Sequence, residues 1–221
     1  MTMLVVIPVI SDALVEKRLL TPLAGRSSLE RTLAAAVGEL PDARVVVTTD
    51  DGRVKAAVRA FGRGVVVHDR TVHDYVPALS AAVEATGDGE DTIVVLEPTH
   101  PFRPAGLVGR TAINLKQREH LDSVVSVRRF KANLWQIEDD GTIGALAGGS
   151  ESRDRVYYQE LIGLALATRP RLLRSNLRLG DAVGFEVVDQ FWGLVDIRDD
   201  ASLAVAQAIA EKMESIEESV E

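Results

Sequence analysis

The sequence predicts an α/β fold, a mostly parallel sheet with helices on both faces and an inserted flap. Three observations predict it. Short continuous apolar runs such as Leu4-Val5-Val6-Ile7 and Thr92-Ile93-Val94-Val95-Leu96 recur along the chain, and a run with no polar alternation marks a strand buried on both faces. Amphipathic stretches of helical period separate these runs, the rhythm of parallel strands joined by helical crossovers. The runs end in polar loops, and right-handed crossovers gather those loops on one edge of the sheet.

The first apolar run, Leu4 to Ile7, is followed by a polar loop, Ser11 to Thr21. Ser28 to Leu40 carries Leu29, Leu33, Ala36, Val37 and Leu40 on one side, with Ser27 or Ser28 to cap it and Pro41 beyond its end, so it reads as a helix. Arg44 to Val47 is a second strand ending in Thr48-Thr49-Asp50-Asp51, and a helix from Asp51 to Phe61 stops at Gly62 and Gly64. Val65 to Val67 is a third strand, Tyr75 to Thr86 an alanine-rich helix, and Thr92 to Leu96 a fourth strand broken by Glu97-Pro98-Thr99-His100-Pro101. Leu107 to Glu119 reads as a helix and Ser123 to Val127 as a strand.

The rhythm breaks at Arg128. Residues 128–160 hold Gly141, Gly144, Gly148 and Gly149, a short strand at Trp135-Gln136-Ile137 and a hairpin signal at Asp140-Gly141. We read them as an inserted flap within a single domain covering residues 1–221. The pattern resumes near Tyr157, with an alternating strand at Val183 to Val188, a short strand at Leu194 to Ile197 and a closing helix from Ala201 to Val220.

Composition limits the function. At 46% hydrophobic and 26% charged, the 221 residues suit an ordinary globular domain with a core that needs no staples. The absence of cysteine excludes disulfides and thiolate metal sites and fits a reducing, cytoplasmic setting. Met1 to Ile10 is short, contains Pro8 and lacks a basic start, so a buried strand is expected there and not a signal peptide. No apolar run approaches the roughly 20 residues of a membrane helix. A formal charge of −8 disfavours non-specific nucleic-acid binding.

Chemistry-bearing residues collect at the strand ends, where ligands of open α/β sheets lie. Lys17, Arg18 and Arg26 sit near the first loop and could hold a triphosphate against the helix start near Ser28; they could equally be solvated surface charges. Asp50 and Asp51 could bind a cation or a ribose hydroxyl, although Asp51 also fits a helix N-cap. Pro98, Pro101 and Pro104 fix the loop that carries Glu97, Thr99, His100 and Arg103, a rigid platform for binding or a simple connector. Asp196, Asp199 and Asp200 could ligate magnesium, and Asp199 or Asp200 could instead cap the last helix. His68, His73 and His120 lack metal-ligand spacing. There is no Gly-Lys-Ser/Thr phosphate loop and no Gly-x-Gly-x-x-Gly turn.

In order, Val6-Ile7-Pro8, Pro22-Leu23-Ala24-Gly25-Arg26, Val47-Thr48-Thr49-Asp50-Asp51, Leu96 to Arg103, Asp122 to Val127 and Asp196-Ile197 resemble the motifs of the acylneuraminate/Kdo cytidylyltransferases, the CMP-sugar synthetases. The resemblance implies a Rossmann-like sheet of the nucleotide-diphospho-sugar transferase type. It also implies transfer of CMP from CTP, with magnesium, to a sugar or related acceptor, with release of pyrophosphate. Lys17, Arg18 and Asp196 would be catalytic, Ser11, Arg26 and Asp50 would meet the nucleotide, and Glu97, Thr99, His100 and Arg103 would meet the acceptor. Asp196 and Asp199 would hold the metal, and residues 128–160 would form a homodimer contact.

The ligand edge departs from that family. The first loop, Val9 to Arg18, lacks the family's glycines, arginine and loop lysine, and Asp12 and Glu16 add negative charge. The second aspartate of the family's "DID" segment is Arg198, the glutamine before Pro98 is Glu97, and the serine of "PTSP" is His100. Two readings follow. One is an active transferase with an altered acceptor; the other is a non-catalytic homologue acting as a binding or partner subunit.

Overall fold

The computed structural model describes residues 3–12, 15–87, 89–131, 134–147 and 156–218. Met1, Gly148, Gly149 and Val220, named above, lie outside them, as do two residues of the first loop, Ala13 and Leu14. The first half contains β1 (Met3–Val9), a wide helical turn (Glu16–Leu20), a small hairpin of β2 (Pro22–Leu23) and β3 (Arg26–Ser27), α1 (Ser28–Glu39), β4 (Arg44–Thr49), α2 (Gly52–Phe61), β5 (Val66–Asp69), α3 (Tyr75–Thr86) and β6 (Thr92–Val95). Then come α4 (Leu107–Gln117), β7 (Ser123–Phe130), β8 (Leu134–Ile137), β9 (Ile143–Ala147), β10 (Tyr157–Glu160), β11 (Leu166–Thr168), α5 (Pro170–Arg174), β12 (Val183–Val187), a tight turn at Phe191–Leu194 and α6 (Asp200–Glu218).

The main sheet runs β10-β7-β11-β6-β1-β4-β5, with β12 on the other flank of β7. Strands β6, β1, β4 and β5 are mutually parallel, as are β7 and β12. β11 runs antiparallel between β6 and β7, and β10 is antiparallel to the far end of β7. The expected mostly parallel sheet is therefore present. Its antiparallel strand β11 escapes a sequence reading because three residues are too few to show a period.

Both faces of β1 are buried, as its unbroken apolar run requires. Val5 and Ile7 join the layer of α1, α2 and α4, with Leu29, Leu33, Val54, Leu107 and Leu115; Leu4 and Val6 join the layer of α3 and α5, with Leu79 and Leu173. Each such side chain contributes about 1.5–3 kcal/mol by leaving water. A smaller cluster of Leu23, Phe102, Ile197, Leu203 and Ala206 packs α6 against the β2–β3 hairpin and the loop after β6. It carries Asp196 and Arg198 to the carboxyl edge of the sheet.

Local signals set the helix ends. Ser27 and Glu30 form a reciprocal capping box at α1. Asp51 caps α2 by accepting from the backbone N–H groups of Arg53 and Val54, and Gly62 ends it at φ 70°, a conformation that favours glycine. The expected strand at Leu194 to Ile197 is a correction: Phe191–Leu194 is a tight helical turn, and Ile197 then donates its N–H to the Thr99 carbonyl without joining a strand. In the segment 128–160, Arg128–Phe130 completes β7 and β10 belongs to the main sheet, so the separate piece is the β8–β9 hairpin. That hairpin exposes Trp135, Ile137 and Ile143. No helix among the described residues is long and apolar enough to cross a membrane.

Candidate functional site

Parallel neighbours end together, so the loops after β1, β4, β5 and β6 meet on one edge. Those after β1, β5 and β6, with Arg198, enclose a cavity of about 370 Å³ lined by Val9, Asp12, Arg18, Arg70, His73, Tyr75, Glu97 and Thr99, among others. Hydrogen bonds join the first two loops. Ser11 donates its backbone N–H to Asp50 Oδ1 at 2.8 Å and its hydroxyl to Asp51 Oδ2 at 3.0 Å. Ser11 and Asp50 thus hold one loop to the next.

The cations of the first loop are already engaged. Arg18 points a guanidinium at the Asp12 carboxylate, and both line the cavity. Lys17 pairs with Asp200 at 2.6 Å on the open surface. Glu16, whose charge would oppose a polyanion, is met by Arg53 at 3.1 Å. Arg26 does not join this group. It lines a separate hollow of about 280 Å³ with Glu30, Ala34, Phe61 and Arg63. The expected convergence of Lys17, Arg18 and Arg26 on the start of α1 is therefore corrected, and that helix end is filled by its own capping box.

Three cavity residues follow a signal the sequence reading used elsewhere and missed here. Arg70 directly follows β5 as Asp50 follows β4, and His73 and Tyr75 lead into α3. Arg70 is 9% exposed. It donates from Nε to the Val72 carbonyl and from Nη2 to the His73 carbonyl, while Nη1 has no acceptor among the described residues. Burial lowers its pKa, opposed by Asp50 and Tyr75; a guanidinium stays charged at neutral pH regardless. This is a preorganised cation facing the cavity.

The loop after β6 divides in two. Glu97 and Thr99 line the cavity. The Glu97 carboxylate accepts the Tyr75 hydroxyl at 2.9 Å and lies 3.6 Å from Arg198 Nη2. Burial and then Glu97 raise the Tyr75 pKa, so the phenol stays protonated as the donor. Gly163 lies against the same carboxylate at φ 90°, where an added Cβ would come within 2.7 Å of Glu97. Thr99 Oγ1 is buried with no partner among the described residues.

His100 is buried, Arg103 is partly buried, and both are absent from the cavity wall. His100 Nε2 lies 2.8 Å from the Ile162 carbonyl, which can only accept, so Nε2 carries the hydrogen. Burial lowers the His100 pKa against the pull of Asp196, 4.0 Å away, which makes the ring neutral and denies it an ion pair. Arg103 donates to the carbonyls of Leu164, His100, Glu97 and Gly163 and to Thr32 Oγ1. Burial pushes its pKa down to about 9, still charged at neutral pH. Placement of Arg103 against an acceptor is corrected: it is an internal brace.

The magnesium expected from the resemblance does not fit these donors. Asp196 Oδ2 accepts from Arg198 Nε at 2.7 Å, and its buried Oδ1 faces His100 without a bond. Asp199 caps α6, accepting from the backbone N–H and hydroxyl of Ser202. Among the described residues no three of His, Cys, Asp or Glu are grouped to hold a metal. A divalent ion about 4 Å from the Arg198 guanidinium would meet roughly 8 kcal/mol of repulsion at an effective dielectric near 20.

With this geometry in view, the likenesses define a class. The solved structure of CMP:2-keto-3-deoxy-manno-octonic acid synthetase complexed with CTP matches with a TM-score of 0.74 at 15% identity, over 96% of this chain and 100% of that one. The 4-diphosphocytidyl-2C-methyl-D-erythritol synthase of Anaerococcus prevotii matches with a TM-score of 0.72 at 12% identity, over 95% and 98%. The fold is that of the cytidylyltransferases. In sequence, the 3-deoxy-manno-octulosonate cytidylyltransferase of Porphyromonas gingivalis is 32% identical over 83 residues, 38% of this chain. The match spans about a third of that relative's length, 32%. No protein-family model matches. The chain has the cytidylyltransferase fold that its motifs suggested, and over part of its length it is similar in sequence to one such enzyme.

Proposed function

We propose that the protein binds CTP in the strand-edge cavity and transfers CMP to a hydroxyl-bearing acceptor, releasing pyrophosphate. The observation that carries this reading is the convergence of Arg18, Arg70 and Arg198 on one cavity of a cytidylyltransferase fold. An acceptor oxygen would bond to the α-phosphorus, the bond to the bridging oxygen would break, and guanidinium groups would neutralise the departing pyrophosphate. Glu97, on the cavity wall, would take the hydroxyl proton. Its charge, in the position where the related motif has glutamine, disfavours an acceptor carboxylate there and favours a neutral sugar or similar polyol.

A second reading, a non-catalytic binding or partner subunit, draws support from the ion pairs that engage Lys17, Arg18 and Asp196. Thermal-shift measurement comes first. CTP at about a hundredfold its dissociation constant stabilises by about 2.7 kcal/mol, so the melting temperature should rise by about 5–10 °C. Arg70→Ala should remove that rise. A folded protein that no nucleoside triphosphate stabilises would sink the proposal. CTP binding without pyrophosphate release across a panel of neutral sugars would favour the subunit reading.

We further propose a homodimer through the β8–β9 hairpin, because Trp135, Ile137 and Ile143 are 66%, 77% and 70% exposed and such a patch marks an interface. Trp135→Asp should shift the sedimenting species from dimer to monomer without changing the melting of the monomer. A wild-type monomer at all concentrations would refute it.

A further inference from the structure

Arg198 stands where the related motif has an acidic residue, and the structure gives it a fixed place. Its backbone N–H donates to Ser202 Oγ at the start of α6. Its Nε donates to Asp196 Oδ2 at 2.7 Å, and Nη2 lies 3.6 Å from Glu97 Oε2. Its side chain lines the same cavity as Thr99, Arg18 and Arg70. Asp196 is thereby held by a protein cation, and Asp199 is spent on the helix cap.

We propose that Arg198 occupies the position of a divalent cation, so that this cavity takes the phosphates of its ligand on guanidinium groups alone, without magnesium. The phosphate half of the proposal rests on the nucleotide reading above; the cation half rests only on the donors at Asp196. Two carboxylates cannot close on a metal while a guanidinium lies between them, and a planar fork with several N–H donors suits phosphate oxygens directly. Lysine there would keep the charge and lose the fork.

Manganese titration of the full chain, followed by its electron paramagnetic resonance, tests the cation half without any nucleotide. The wild type should bind no manganese below millimolar concentration. Arg198→Asp should gain a site, and Arg198→Asp with Asp196→Asn should lose it again; Arg198→Ala provides the folded control if the aspartate variant fails to fold, and it should keep part of the gain. Stoichiometric manganese binding to the wild type that Asp196→Asn abolishes overturns the proposal. Calorimetry with CTP tests the phosphate half. The wild-type affinity should agree within about twofold in magnesium and in chelator, whereas Arg198→Ala should weaken it by about tenfold or more, the loss of one charge-assisted contact. CTP binding that requires magnesium overturns the phosphate half while the nucleotide reading stands. CTP binding in neither buffer overturns that reading and the phosphate half together, and the manganese result still judges the cation half.

Discussion

Arg103→Leu is expected to lower the melting temperature by about 10–15 °C in differential scanning calorimetry. The guanidinium is partly buried, and its five hydrogen bonds reach into three segments: the Glu97 to His100 loop, Thr32 on α1, and Gly163-Leu164 before β11. Leucine fills much of the space but takes one donor from each of four carbonyls and a hydroxyl, of which the Glu97 and Gly163 carbonyls keep the backbone N–H groups of His100 and Glu97. Removing one member of a buried charged network costs about 3–5 kcal/mol, and each kcal/mol moves the midpoint of a domain this size by about 2–4 °C. Arg103→Lys should recover little, because a single ammonium cannot span the fork. A variant within 2 °C of the wild type would show that the brace is not needed.

The second large effect belongs to Asp51. Its carboxylate accepts from the backbone N–H of Arg53 and Val54, from the Arg53 guanidinium and from the Ser11 hydroxyl. Asp51→Ala should cost about 2–3 kcal/mol in denaturant unfolding at pH 7, a lost N-cap plus the loosened first loop. The Arg53 bond, aided by Val54 and Ser11, holds the Asp51 pKa well below the usual carboxylate range. A carboxylate with a depressed folded pKa stabilises fully above its unfolded pKa, near 4, and loses that contribution as the pH falls further. The difference between wild type and Asp51→Ala should thus be flat from pH 5 to 8 and shrink below about pH 4. A difference that stays constant down to pH 3 would assign the stability to packing instead.

The regular parts of the fold were legible in the sequence because each obeys a local rule. Tyr75–Thr86 follows helical period, and β1 and β4 are unbroken apolar runs whose two faces are both buried. Asp51 could be read as a cap from its place before α2. β11 was not legible, because its three residues are stabilised by two neighbouring strands and not by any pattern of their own. The site was legible as an edge but not as a set of side-chain directions. Arg103 and His100 lie in the right loop but off the cavity wall, while Arg26 stands on a different surface. Direction is decided by long-range partners such as Gly163 and Ile162, which a linear reading cannot pair with Glu97 and His100. Arg70 was within reach, since the strand-end rule that selected Asp50 selects it too.

The position of β11 bears on how the chain is made. Strands β1, β4, β5 and β6 and their helices can pair as they leave the ribosome, since each finds its neighbour among earlier segments. β7 cannot. Its place beside β6 is taken by β11, which is synthesised only after β7, the β8–β9 hairpin and β10. Until Leu166–Thr168 emerge, the outer edge of β6 and the Ser123–Val125 end of β7 lack the strand that joins them, and such unpaired backbone is the kind of surface that recruits chaperones or foreign strands. A nascent chain halted before Leu166 would carry a finished half-sheet and, apart from it, β7 paired only with β10, and the ligand edge, braced by Arg103 on Gly163 and Leu164, would set late.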